Sequence, residues 1–169
     1  MHTKAVYQGA KGLTRIGCAV LRFNFRGIGA STGAFDGKGG ELEDFRAAVA
    51  FMASQYPGVP VWAAGFSFGS WVALEGGAAD PRVSLLVAIA PPVAVKDYRF
   101  QHILTCTKPK FFVQGSLDES CHLKDLRAFY AALPEPKELA VIDGADHLFS
   151  GRTVEVGEAL EDLLADFTP

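Results

Sequence analysis

Three sites far apart in the sequence carry the residue types of nucleophilic acyl transfer. Gly65-Phe66-Ser67-Phe68-Gly69 follows a short apolar run and leads into a helical one. In a strand–turn–helix setting, the central serine of G-x-S-x-G is lifted clear of the sheet, and small residues two before and two after it let strand and helix approach. A serine hydroxyl is a poor nucleophile until a base takes its proton, and that base needs an orienting carboxylate. Asp118 stands in Gln114-Gly115-Ser116-Leu117-Asp118-Glu119, and His147 closes Asp143-Gly144-Ala145-Asp146-His147. Each falls in a loop just after an expected strand. Glu119 and Asp146 are alternative acids, and capping a helix N-terminus is the alternative role for Asp118. His2, His102 and His122 compete with His147. They lie in the first helical region, in the connection after the third strand, and at the start of a helix.

These residues need elements to hold them. Val6, Ala10, Leu13 and Ile16 recur at helical spacing over residues 5 to 16, with Gly17 as a stop. Residues 19 to 25 read as a strand ending in the glycine-rich loop Arg26 to Gly33. Leu42, Phe45, Val49, Met52 and Tyr56 mark one face of a long helix closed by Pro57-Gly58. Residues 61 to 64 form a short buried strand, followed by a helix carrying Trp71, Val72 and Leu74. Further strands are expected at 85 to 90, 110 to 114 and 139 to 142. A helix with Leu123, Leu126, Phe129, Tyr130 and Leu133 lies between the last two, and Val156, Leu160, Leu163, Leu164 and Phe167 mark the final one. Strands alternating with helices predict an α/β domain with a mostly parallel sheet. In such sheets ligands bind beyond the carboxyl ends of the strands, where Ser67, Asp118 and His147 all fall.

Composition narrows the function further. The chain has 169 residues, 49% of them hydrophobic and 21% charged, which suits one globular domain, residues 1–169. A net charge of −3 without a Lys/Arg cluster argues against nucleic acid or an anionic membrane as a partner. The apolar stretch from Val83 to Val95 is broken by Pro91-Pro92 and falls short of the roughly 20 residues that span a membrane. Cys18, Cys106 and Cys121 are odd in number and irregularly spaced, which argues against a disulfide framework or zinc site and fits a reducing cytoplasm. The loop Gly27-Ile28-Gly29-Ala30-Ser31-Thr32 follows a strand, but Thr32 stands where a dinucleotide fingerprint has its third glycine. Gly33 to Gly39 lacks the spacing and the Ser/Thr of a P-loop.

Taken together, the blocks Arg22 to Gly33, Gly65 to Gly69, Gln114 to Glu119 and Gly144 to His147 resemble the α/β-hydrolase superfamily, in particular its small, cap-free bacterial branch of predicted esterases. The resemblance runs over essentially the whole chain. It implies a mostly parallel sheet flanked by helices on both faces and the chain order nucleophile, acid, base, which selects Ser67, Asp118 and His147. It also implies Phe68 N–H as an oxyanion donor, a small-molecule acyl substrate, and neither a metal nor an organic cofactor. Relatives with a lid insert it between Ala90 and Lys110. Only a short connection stands there, so an open, shallow pocket is expected, lined by Phe66, Phe68, Tyr98 and Phe100. Core packing is the competing role for these aromatics.

The resemblance also predicts a defect. Family members begin with further strands, one of which carries the second oxyanion donor and lies between the strands expected at 19 to 25 and 61 to 64. Its absence marks the fold as N-terminally truncated and opens a gap in mid-sheet. Buried ladder groups left unpaired there would cost about 1–3 kcal/mol each, against a total stability of about 5–15 kcal/mol. The expectation is therefore that the gap does not stay open. Either the natural protein is longer by about 40 to 50 residues, within ordinary domain size, or the flanking strands pair directly. In the remaining case a second copy of the chain (a homo-oligomer) or another strand-filling partner enters the gap.

Overall fold

A computed structural model describes residues 3–37 and 39–167. Helix α1 (Lys4–Arg15) and helix α2 (Gly39–Gln55) precede four strands: β1 (Val61–Phe66), β2 (Val83–Ile89), β3 (Lys110–Gly115) and β4 (Lys137–Ile142). Helix α3 (Phe68–Ala79) joins β1 to β2, α4 (Leu123–Ala132) joins β3 to β4, and α5 (Thr153–Leu164) follows the sheet. The strands lie in the order β1-β2-β3-β4 and every pairing is parallel. Gly65 pairs with Ala88, Ala88 with Phe112, and Phe112 with Leu139, so the carboxyl ends of all four strands share one rim.

The period-2 alternation of strand side chains divides the core into two layers. Ala63, Leu86, Ala88 and Phe112 face one side, where α2, α3 and α4 cover them with Phe45, Val49, Trp71, Leu74 and Leu126. Leu85, Val87, Ile89, Phe111 and Val113 face the other, where α1 and α5 supply Ala5, Leu13, Val156, Leu160 and Leu164. Helices α1 and α5 meet backbone to backbone. A Cβ added at Gly12 would stand 2.4 Å from the Gly157 carbonyl oxygen, and an Arg15–Glu161 ion pair closes the same contact. Lys110 is fully buried at the head of β3, where its ammonium donates to the Pro134 carbonyl at 2.9 Å. That burial depresses its pKa.

The connection from Ala90 to Lys110 is strapped to α3. Glu75, almost fully buried, accepts from His102 N–H (3.1 Å) and Ile103 N–H (3.2 Å), and bonds His102 Nδ1 at 2.9 Å. Trp71 Nε1 donates to the Arg99 carbonyl at 3.0 Å.

One expected strand is not there. Residues 19 to 25 join no sheet among the described residues; they face β1 across shared cavities. Their two ends are fixed: Cys18 N–H donates to Leu13 O at 3.0 Å, and Arg26 is held by Asp44 through N–H (2.8 Å) and Nη2 (2.8 Å). The space between them and the outer edge of β1 is an open slot. Its two compartments, about 430 and about 370 Å3, are each walled by residues of the 18–25 segment on one side and of β1 on the other. Direct pairing of the two segments, expected as one way to close the gap, is thus absent. Val20, Leu21, Phe23 and Ala64 are all exposed along this slot.

Candidate active site

Ser67 sits in the one-residue turn between β1 and α3 with φ 50° and ψ −121°. A positive φ is strained for any residue carrying a Cβ, and here the surroundings enforce it. Ser67 N–H donates to Ile89 O of β2 at 2.8 Å, and Ser67 O accepts from Ser70 N–H at 2.9 Å and Ser70 Oγ at 2.5 Å. Gly65 permits the turn: a Cβ there would lie 2.0 Å from Gly69 O and 2.6 Å from Ser70 N. Gly69 is different, because a Cβ there would meet nothing within 4 Å. The expectation that both motif glycines are sterically required therefore holds for the first alone.

His147 comes from the loop after β4. Its Nε2 stands 3.0 Å from Ser67 Oγ and its Nδ1 2.8 Å from Asp118 Oδ2. The imidazole also lies against the Phe66 ring, centroids 5.2 Å apart. Phe149, fully buried with φ 54°, anchors the loop two residues on.

Asp118, in the loop after β3, is buried, and every acceptor direction of its carboxylate is used. Oδ1 takes Ser120 N–H (2.9 Å) and Cys121 N–H (2.7 Å); Oδ2 takes Gln114 Nε2 (2.9 Å) as well as His147. Burial raises the carboxyl pKa, but the hydrogen bond from His147 and the two backbone donors outweigh it, leaving the group below its ordinary value.

The alternatives are occupied elsewhere. Asp146 accepts Ser150 N–H at 2.8 Å within its own exposed turn, and Glu119 is exposed. His102 is bound to Glu75, and His122 is exposed at the start of α4. His2 lies outside the described residues.

The aromatic residues divide. Phe66 and Phe68 line the larger compartment of the slot, which also reaches Ser67. The Phe68 ring is packed among Phe25, Phe35, Trp71 and Tyr98, and its N–H lies in the first turn of α3, where helix geometry leaves it without an intrahelical acceptor. Tyr98 stacks on Trp71 at 5.1 Å and Phe100 packs on Phe129 at 4.9 Å; neither lines that compartment. Apolar side chains do stand exposed beside the acid and the base, with Leu117 64% and Leu148 58% accessible.

Asp118, Cys121 and His147 are the one three-residue grouping among the described residues whose ligand atoms lie within metal-binding distance of one another, 4.8 Å. Its chemistry fits hydrogen bonding better than a cation. Both carboxylate oxygens are engaged, and burial pushes the Cys121 thiol up to about 12, where it keeps its proton.

Sequence reasoning missed Gln114. An internal polar residue four positions before a candidate acid, on an otherwise apolar strand, was the available signal.

Over residues 1–108 the chain matches the serine aminopeptidase family S33, a hydrolase family, and it belongs to that family and to the α/β-hydrolase superfamily. An α/β serine hydrolase homologue from Coxiella burnetii is 35% identical, with a TM-score of 0.88 over 97% of this chain and 77% of the relative. XC6422 of Xanthomonas campestris, an α/β serine hydrolase without a lid, is 32% identical, with a TM-score of 0.90 over 100% of this chain and 76% of that one. RP471 of Rickettsia prowazekii is 34% identical over 171 residues, 97% of this chain and 72% of the relative. The relatives of known structure extend beyond the length that this chain covers, consistent with an N-terminally truncated fold. No helix of the described residues is long and apolar enough to cross a membrane.

Proposed function

We propose that this chain is a serine hydrolase that cleaves a small carboxylic ester through Ser67, His147 and Asp118, within a single domain without a cap. The observation that carries the reading is the relay of two hydrogen bonds, Ser67 Oγ to His147 Nε2 at 3.0 Å and His147 Nδ1 to Asp118 Oδ2 at 2.8 Å. With Nδ1–H donated to Asp118, Nε2 is the unprotonated nitrogen and accepts the serine proton as Oγ attacks the acyl carbon. The imidazolium so formed is stabilised by the Asp118 carboxylate and returns its proton to the leaving alkoxide. The acyl-enzyme is then hydrolysed by a water activated at the same Nε2.

Phe68 N–H is aimed by α3 at the developing oxyanion. In holes of this kind one N–H donor is worth about 10²–10³ in rate, or about 2.7–4 kcal/mol. Exposed Leu117 and Leu148 favour a neutral acyl group, with Phe66 and Phe68 forming the inner wall. Three free cysteines, Cys106 and Cys121 buried and Cys18 partly so, suit a cytoplasmic setting.

A second reading, a small peptidase, is favoured by the name of the matched family, serine aminopeptidase. Fluorophosphonate should form an adduct on Ser67 of the folded protein and none on Ser67→Ala. Comparing p-nitrophenyl acetate, an acyl thioester and an aminoacyl amide then separates esterase, thioesterase and peptidase. No adduct in the folded protein overturns the hydrolase reading and leaves a hydrolase-like binding protein.

A further inference from the structure

Gln114 is fully buried at the end of β3, and its amide is used one-sidedly. Nε2 makes two hydrogen bonds, to Asp118 Oδ2 at 2.9 Å and to Cys121 O at 2.5 Å. Oε1 has no partner, the one such buried side-chain atom among the described residues. Turning the amide over would set an oxygen against both a carboxylate and a carbonyl, so the orientation is forced by the surroundings. A buried carbonyl left unpaired is costly, and an apolar side chain of the same size would remove that cost. The residue thus contributes through its nitrogen.

We infer that Gln114 is a positioning residue for the acid–base pair: its amide fixes the Asp118 carboxylate, and through it the imidazole of His147. This inference rests on the hydrolase reading above. The other donors to Asp118 are Ser120 N–H, Cys121 N–H and His147. The first two belong to the same loop as Asp118 and would move with it, and His147 is the group to be oriented. Gln114 is the donor on the sheet itself, hydrogen-bonded to the neighbouring strands through β3. It grips the loop at two points, the carboxylate and the Cys121 carbonyl, so the plane of the carboxylate is set from a rigid element. Because Oδ2 serves both Gln114 and His147, the amide also draws off part of the negative charge that an imidazolium on Nδ1 would meet. Removing the amide should loosen the imidazole and favour its protonated form, which cannot accept the Ser67 proton.

The test compares Gln114→Met, Gln114→Asn and Gln114→His with the unaltered chain. Methionine keeps the volume and loses the donor. Asparagine keeps the amide but ends about one C–C bond, ~1.5 Å, short, so it tests the idea even if the methionine variant does not fold. Histidine restores an N–H at comparable reach. On p-nitrophenyl acetate, Gln114→Met and Gln114→Asn should lose about 10- to 100-fold in kcat with KM within about twofold, the scale at which supporting hydrogen bonds act. The acidic limb of kcat/KM should move to higher pH. Gln114→His should recover most of both. In proton NMR, the His147 Nδ1–H resonance should be sharp in the unaltered chain and broaden in the Met and Asn variants. A folded Asn or Met variant with unchanged kcat, limb and resonance overturns the inference. If the unaltered chain takes up no fluorophosphonate, the hydrolase reading fails, and the resonance alone decides: broadening upholds the positioning role and no change ends it.

Discussion

Replacing Gly65 by alanine puts the geometry of the nucleophile turn under direct load. The new methyl would stand 2.0 Å from Gly69 O, 2.2 Å from Gly69 C and 2.6 Å from Ser70 N, and all three are backbone atoms that no rotamer change can clear. Contacts of this kind essentially never fall below 3.0 Å, so β1 and the first turn of α3 must part by about 1 Å. Overpacking of this kind costs about 1–3 kcal/mol, and an immovable neighbour places the expectation near the top of that range. For a chain of this length 3 kcal/mol corresponds to a fall in Tm of about 6–12 °C. The same 1 Å displaces Ser67 Oγ from His147 Nε2, and a misplacement of that size costs about 10²-fold in rate. Gly69→Ala is the internal control, since its methyl meets nothing within 4 Å and alanine is the better helix former by up to about 1 kcal/mol. Thermal unfolding and the rate of fluorophosphonate labelling, measured on both variants, give the answer. A Gly65→Ala protein with unchanged Tm and labelling rate would refute the steric account of the turn, as would a Gly69→Ala protein damaged as badly.

Ser67→Gly should raise stability by about 1 kcal/mol by relieving the positive φ while abolishing labelling; a lower Tm would show that the turn carries no strain. Asp80 lies below its ordinary carboxyl value because the Arg82 side chain donates to it. A depressed folded-state pKa contributes stability that is complete above the ordinary value and is lost as pH falls through the folded one. With Arg82 half exposed, Asp80→Asn should cost about 1 kcal/mol at pH 7, and the cost should shrink as the pH falls below the ordinary carboxyl value. Parallel Tm curves across that range would contradict this. Ser67 N–H points to β2, so by alternation the amides of Ala63 and Gly65 do too, and those of Trp62, Ala64 and Phe66 face the slot. Hydrogen exchange should therefore alternate along β1, fast at Trp62, Ala64 and Phe66; uniform protection would mean that the slot is closed.

The nucleophile, acid and base were readable because each is a local pattern at a strand's carboxyl end, and a parallel sheet carries all such ends to one rim. What local pattern could not supply was the identity of neighbours. Residues 19 to 25 have the apolar–polar alternation of a strand, but a strand exists only where another pairs with it, and β1 does not. Periodicity likewise reports that Tyr98 and Phe100 are partly buried without saying against what, and Trp71 and Phe129 claim them. Gly69 follows the motif, yet the steric need falls on Gly65, because the Cα–Cβ direction at that position aims at the helix. Gln114 escaped notice because its importance is a contact, visible only once β3 and the loop after it are folded together.

The close seating of Gly12 on Gly157 has a bearing on how the molecule is made. Helix α1 leaves the ribosome before α5, the two separated by about 10–30 s of synthesis at usual elongation rates. For that interval Ala5, Gly9 and Leu13 have no permanent cover, and the β2 side chains that face them wait as well. Docking of α1 against α5 thus waits until the whole sheet has been made, and a nascent polypeptide halted before α5 would display the apolar stripe of α1 to every chaperone in reach.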